Sequence, residues 1–61
     1  MDEAAVKQLV EKYLEQQHSY ILVEKAVLKR NTWIVTVSTG IPRLIRRVRI
    51  DAITGKILGI E

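Results

Sequence analysis

The chain has no cysteine and no phenylalanine, and only one histidine, one proline and one tryptophan among its 61 residues. Without cysteine no disulfide can staple the fold, and a single histidine leaves too few ligands for a structural zinc site within one chain. A chain this short buries only about 60% of the surface that its unfolded form exposes. Its stability must therefore come from efficient packing or from association with another chain. No run is long and apolar enough to span a bilayer, and Met1-Asp2-Glu3 opens with acidic residues where a secretory signal carries positive ones. The expectation is a cytoplasmic protein with one domain, residues 1–61.

What is present is isoleucine, valine and leucine in abundance, together with 28% charged residues, a mixture that suits a thermophile. The formal charge of +3 is unevenly placed. Up to Arg30 the five basic residues Lys7, Lys12, Lys25, Lys29 and Arg30 are matched by five acidic ones. Beyond it, Arg43, Arg46, Arg47, Arg49 and Lys56 face only Asp51 and Glu61, so the excess belongs to the second half of the chain.

Residues 3–17 read as a helix: Asp2 is a suitable N-cap, and Val6, Leu9, Val10, Tyr13 and Leu14 recur at the spacing of one apolar face. Gln17-His18-Ser19 is a polar stop. A β-branched and apolar run then reads as a strand from Tyr20 to Leu28, Lys29 to Thr32 as a turn, and Trp33 to Ser38 as a second strand. Thr39-Gly40-Ile41-Pro42 breaks the pattern before a third strand, Leu44 to Asp51, and a short fourth, Ile57 to Ile60. The fold class expected is α+β, one N-terminal helix packed on a three- to four-stranded antiparallel sheet in the order αββββ. With Leu28 opposite Trp33 and Ala26 opposite Val35, strict alternation puts Leu22, Glu24, Ala26, Leu28, Trp33, Val35 and Val37 beneath the helix. The other face then carries Ile21, Val23, Val27, Ile34 and Ile45, with Lys25, Arg47 and Arg49 around them. That set is too apolar for open solvent, and in a small chain it marks a surface for a partner.

The stretch from Val48 to Leu58 is the most specific in the chain. Alternation enters a Thr-Gly turn in which Gly55 supplies a positive φ, while Asp51 and Thr54 can accept bonds from nearby backbone amides. The pattern Val48-x-Ile50-Asp51-Ala52-x-Thr54-Gly55-x-Ile57-Leu58 resembles the closing signature of PepSY domains. Trp33-Ile34-Val35-Thr36-Val37 resembles the aromatic-x-V-x-V strand of the same family, and the amphipathic first helix extends the likeness over most of the chain. The resemblance implies a helix on a short antiparallel sheet and an inhibitory or protein-binding role, as inferred for PepSY domains in peptidase propeptides and envelope proteins.

No catalytic constellation emerges. His18 and Ser19 are sequence neighbours, whereas a nucleophile needs a base that faces it and a third group to orient that base; His18 reads instead as a favourable charge at a helix C-terminus. Thr54-Gly55-Lys56 lacks the earlier glycine, the following Ser or Thr and the helix of a phosphate-binding loop. Asp51 alone lacks the several oxygens of a calcium or magnesium site. The expectation is a non-enzyme with no cofactor, metal or small-molecule substrate and no membrane contact. It is a regulatory, inhibitory or accessory subunit that binds a protein partner or a second copy of itself. Val23, Val27, Ile34 and Ile45 are the apolar anchors, with Arg47 and Arg49 at the rim. The alternative is a small basic nucleic-acid-binding protein that follows a phosphate backbone with Lys25, Arg43, Arg46, Arg47 and Arg49. Alternation divides that set, with Arg43, Arg47 and Arg49 on one face and Arg46 on the other.

Overall fold

The computed structural model describes residues 2–16 and 20–61. Helix α1 spans Glu3–Glu15, and the strands are β1 (Ile21–Lys29), β2 (Thr32–Thr39), β3 (Leu44–Asp51) and β4 (Ile57–Ile60). Neighbours in sequence are neighbours in space: the sheet runs β1-β2-β3-β4, antiparallel throughout. The α+β class and the αββββ order are those the sequence pattern implies.

Helix α1 starts where the side chain of Asp2 accepts the Ala5 amide at 2.8 Å, which satisfies one of the donors a helix N-terminus leaves free. Val6, Val10 and Leu14 form its buried stripe. Leu9 packs beside them, whereas Tyr13, at the margin of that stripe, is exposed. Helix α1 lies against β1 and, to a smaller extent, β2. The stripe meets Trp33, Val35 and Val37 of β2 and Val48 and Ile50 of β3 in one core. Gln17, expected to end the helix, and the adjacent His18 and Ser19 lie outside the described residues.

The β1–β2 hairpin turns on Arg30 and Asn31 alone, with Lys29 paired to Thr32. Both turn residues have positive φ, 50° and 61°, the conformation that matches the twist of the strands on either side. Asparagine enters this region readily. Arginine does so less readily, and the tight turn it accepts here gives the Leu28–Trp33 pairing that the sequence reading assumed.

The β3–β4 turn is closed by side chains. Asp51 Oδ1 accepts the amides of Ile53 and Thr54 at 2.8 and 3.2 Å, and Thr54 Oγ1 accepts that of Lys56 at 3.2 Å. Gly55 has φ of 75° and donates its amide to the Asp51 carbonyl at 2.8 Å. A β-branched side chain at this φ is strained, so Gly55→Val is expected to lower stability by about 1 to 3 kcal/mol, read as a shift in the urea midpoint. An unchanged midpoint would mean that the turn does not need glycine.

The sheet departs from strict alternation in β1. Val23 pairs with Val37 and Lys25 with Thr36, which leaves Glu24 as an extra residue in a β-bulge. Downstream of it Ala26 faces Val35 and Leu28 faces Trp33, as the alternation requires. Upstream every side chain changes face. Ile21 and Val23 pack against the core, and Leu22 goes to the far side. The sequence expectation for Ile21, Leu22 and Val23 is thereby reversed, because one inserted residue inverts the period of two.

Candidate interaction surface

The face of the sheet turned away from α1 is built in transverse rows by the strand register. Leu22, Ser38 and Ile45 lie side by side in the first row, and Lys25, Thr36 and Arg47 in the second. Val27, Ile34, Arg49 and Gly59 form the third, and Lys29, Thr32 and Asp51 the fourth. The structure thus brings together Val27, Ile34, Ile45, Lys25, Arg47 and Arg49. It excludes Val23, which the bulge commits to the core. Leu22 takes its place.

A sequence signal for that exchange existed. Strict alternation puts Glu24 beneath the helix, and a carboxylate forced onto a buried face is a sign that the strand carries an extra residue. In the structure the Glu24 carboxylate accepts a hydrogen bond from the hydroxyl of buried Ser38, so both polar groups are satisfied on the far face.

The apolar side chains of this face are partly open to solvent, with Val27 49% and Ile45 59% exposed and Ile34 half-buried. They do not form an unbroken patch. The row of Lys25, Thr36 and Arg47 separates Leu22 and Ile45 from Val27 and Ile34, so apolar and cationic groups alternate along the sheet. Such interleaving suits recognition of a surface that is itself mixed, with apolar contacts for burial and carboxylates for register.

Arg49 is aimed by its neighbours. Its side chain crosses β4 over Gly59, where an added Cβ would lie 3.1 Å from Nη2, and its Nε is 3.7 Å from Glu61. Both partners are substantially solvated, so the pair orients the guanidinium and adds little stability. Among the described residues the other ion pair is Lys7 with Glu3 on the helix, at 3.8 Å. Lys25 and Arg47 therefore present their charge without a carboxylate partner among those residues.

The remaining cations lie elsewhere. Arg46 pairs with Val37 and faces the helix side, as alternation implies, with its Nε buried and without a hydrogen-bond acceptor among the described residues. Arg43 is an exposed residue of the turn before β3, outside the strand pairing, so the register assigns it to neither face. No aromatic side chain lies in the four rows of the far face, but Tyr20, 41% exposed and with its carbonyl accepting the Gly40 amide at 3.1 Å, extends the ladder with the parity of Leu22 and so borders that face. Trp33 is beneath the helix, Tyr13 is on the helix and Tyr20 precedes β1.

The described residues contain no group of three or more His, Asp or Glu placed to hold a metal ion, and no helix among them is long and apolar enough to cross a membrane. His18 and Ser19, considered above as a catalytic pair, lie outside the described residues. Comparison of the chain with models of protein families, with curated proteins and with solved structures finds no match in any of the three.

Proposed function

We propose that this chain is a non-enzymatic protein-binding module, a small regulatory, inhibitory or accessory subunit that docks the far face of its sheet on an acidic partner surface. The observation that carries this reading is the interleaving on one exposed face of Leu22, Val27, Ile34 and Ile45 with Lys25 and Arg47. The likeness of the Val48–Leu58 hairpin and of Trp33–Val37 to PepSY domains supports it, since a protein-binding role is inferred for that family. A second copy docked face to face with its twofold axis along the Lys25–Thr36–Arg47 row would set these cations against one another. A partner that bears carboxylates fits the face better.

Binding to nucleic acid is the second reading, favoured by Lys25 and Arg47, without a carboxylate partner among the described residues, in one row with Arg49 in the next. The placement of Arg46 on the opposite face weighs against it, as does the scarcity of aromatics for stacking bases, with only Tyr20 at the border of the far face.

The two readings separate in capture experiments from nuclease-treated extract of the source cells, with wild-type and variant chains as bait. Ile34→Asp is expected to weaken capture of an acidic protein by about 30-fold or more, the loss of roughly 2 kcal/mol typical of a central anchor. Arg47→Ala with Arg49→Ala should chiefly reduce the association rate and its dependence on salt. Nuclease-sensitive binding that survives Ile34→Asp, and whose salt slope falls by about one unit per arginine removed, would replace protein docking with phosphate binding.

A further inference from the structure

Seen from the far face, the middle strand β2 is recessed between its neighbours. Ser38 is fully buried and bonded to the Glu24 carboxylate, and Thr36 and Ile34 are half-buried. The side chains beside them are exposed: Leu22, Lys25 and Val27 on β1, Ile45 and Arg47 on β3. Arg49 leaves this line, since its guanidinium lies against Gly59 of β4. The face is therefore a shallow trough along β2, about 10 Å from wall to wall at two strand spacings, which is also about the width of a helix with its side chains.

The floor of this trough offers no backbone partners, because the N–H and C=O groups of β2 are engaged within the plane of the sheet by β1 and β3. An extended segment laid there would press unpaired amides and carbonyls against Val27 and Ile34. A helix brings its own already paired. The levels of the trough also match a helical repeat. Apolar Leu22 and Ile45, cationic Lys25 and Arg47, and apolar Val27 and Ile34 follow one another at every second residue of β2. That interval is about 6.6 Å, close to the rise of about 6 Å between positions i and i+4 of a helix. Lys25 and Arg47 stand on opposite walls, neither with a carboxylate partner among the described residues.

We infer that the trough seats an amphipathic helix of the protein partner, aligned with β2, whose apolar stripe carries acidic side chains on both shoulders of its central turn. The carboxylates meet Lys25 and Arg47 on either side of Thr36. The apolar turns before and after them cover Leu22 and Ile45 at one end and Val27 and Ile34 at the other. A second copy of this chain is a poor occupant, because the apolar stripe of its α1, Val6, Val10 and Leu14, is already buried in its own core. The inference rests on the far-face docking proposed above and adds the form of the partner.

Titration of the whole chain with blocked peptides, followed by NMR, tests it. The probe is a helical peptide of about 18 residues, long enough to run the length of the strands, with a leucine stripe and glutamates on both shoulders of its central turn. It should shift the amides of Ile34 and Thr36 and bind at least about tenfold tighter than the same peptide with lysines for the glutamates. A proline at the centre of the glutamate peptide breaks the helix and should weaken binding by about tenfold or more. Thr36→Trp raises the floor with a residue that strands favour, and should abolish binding while the fold persists. If that variant does not fold, Lys25→Glu with Arg47→Glu provides the check and should reverse the preference between the two peptides. Equal binding of the intact and proline-broken peptides, equal affinity for the glutamate and lysine peptides, or a concentration-dependent dimer that shields Thr36 from the probe would each overturn the inference. An acidic protein captured by the parent chain, lost with Ile34→Asp and undiminished with Thr36→Trp would overturn the helix alone and leave far-face docking standing. Nuclease-sensitive binding that survives Ile34→Asp would remove both.

Discussion

Trp33→Ala is expected to cost about 3 to 5 kcal/mol, the range for removing a large aromatic side chain from a packed interior. The indole is only 8% exposed and lies beneath the helix, next to Leu28 on β1 and Ile50 on β3. A domain of this size has a total stability of about 3 to 9 kcal/mol at the usual per-residue values. The variant should therefore be largely unfolded at room temperature, without the cooperative urea transition of the parent in far-UV circular dichroism. Trp33→Phe, which keeps an aromatic ring in the core, should retain that transition at a smaller cost than Trp33→Ala. The buried Nε1 donates no hydrogen bond among the described residues, so the substitution loses volume and no partner. A Trp33→Ala chain with a near-parental midpoint would show the indole to be outside the core and would reverse the faces of β2.

The second large effect tests β3 by comparing two isoleucines on opposite faces. Ile50 is fully buried between Trp33 and Ile57, whereas Ile45, on the same strand, is more than half exposed. Ile50→Ala should lower stability by about 2 to 5 kcal/mol, the transfer and cavity cost of a large-to-small change in a core. Ile45→Ala, the same chemical change, should cost less than about 1 kcal/mol, since it leaves no cavity and touches only strand preference. Measured as urea midpoints on the two variants, a large gap supports the assigned alternation. Equal losses would mean that something covers Ile45 in the isolated chain, and self-association through the far face would then be the first explanation to examine.

The elements were legible in the sequence wherever their causes are local. Asp2 caps the helix with its own side chain, and the Asp51, Thr54 and Gly55 turn closes through bonds between residues at most four apart. Alternation located β3 from Leu44 to Asp51 and set Arg46 apart from Arg47 and Arg49, because a side-chain period of two needs no knowledge of the partner strand. Tyr13 met the helical period yet proved exposed, since the period marks a stripe and only the packed sheet sets its width.

By itself the sequence determined the αββββ order, the buried Trp33 and the concentration of positive charge in the second half of the chain. The tertiary structure alone decided which way the first residues of β1, Ile21 to Glu24, face. A bulge is a relation between two strands: Glu24 becomes the extra residue only when Val23 meets Val37 and Lys25 meets Thr36 across the ladder. The Ser38 hydroxyl that receives Glu24 on the far face belongs to β2, fourteen positions away, and no local pattern within β1 could announce it.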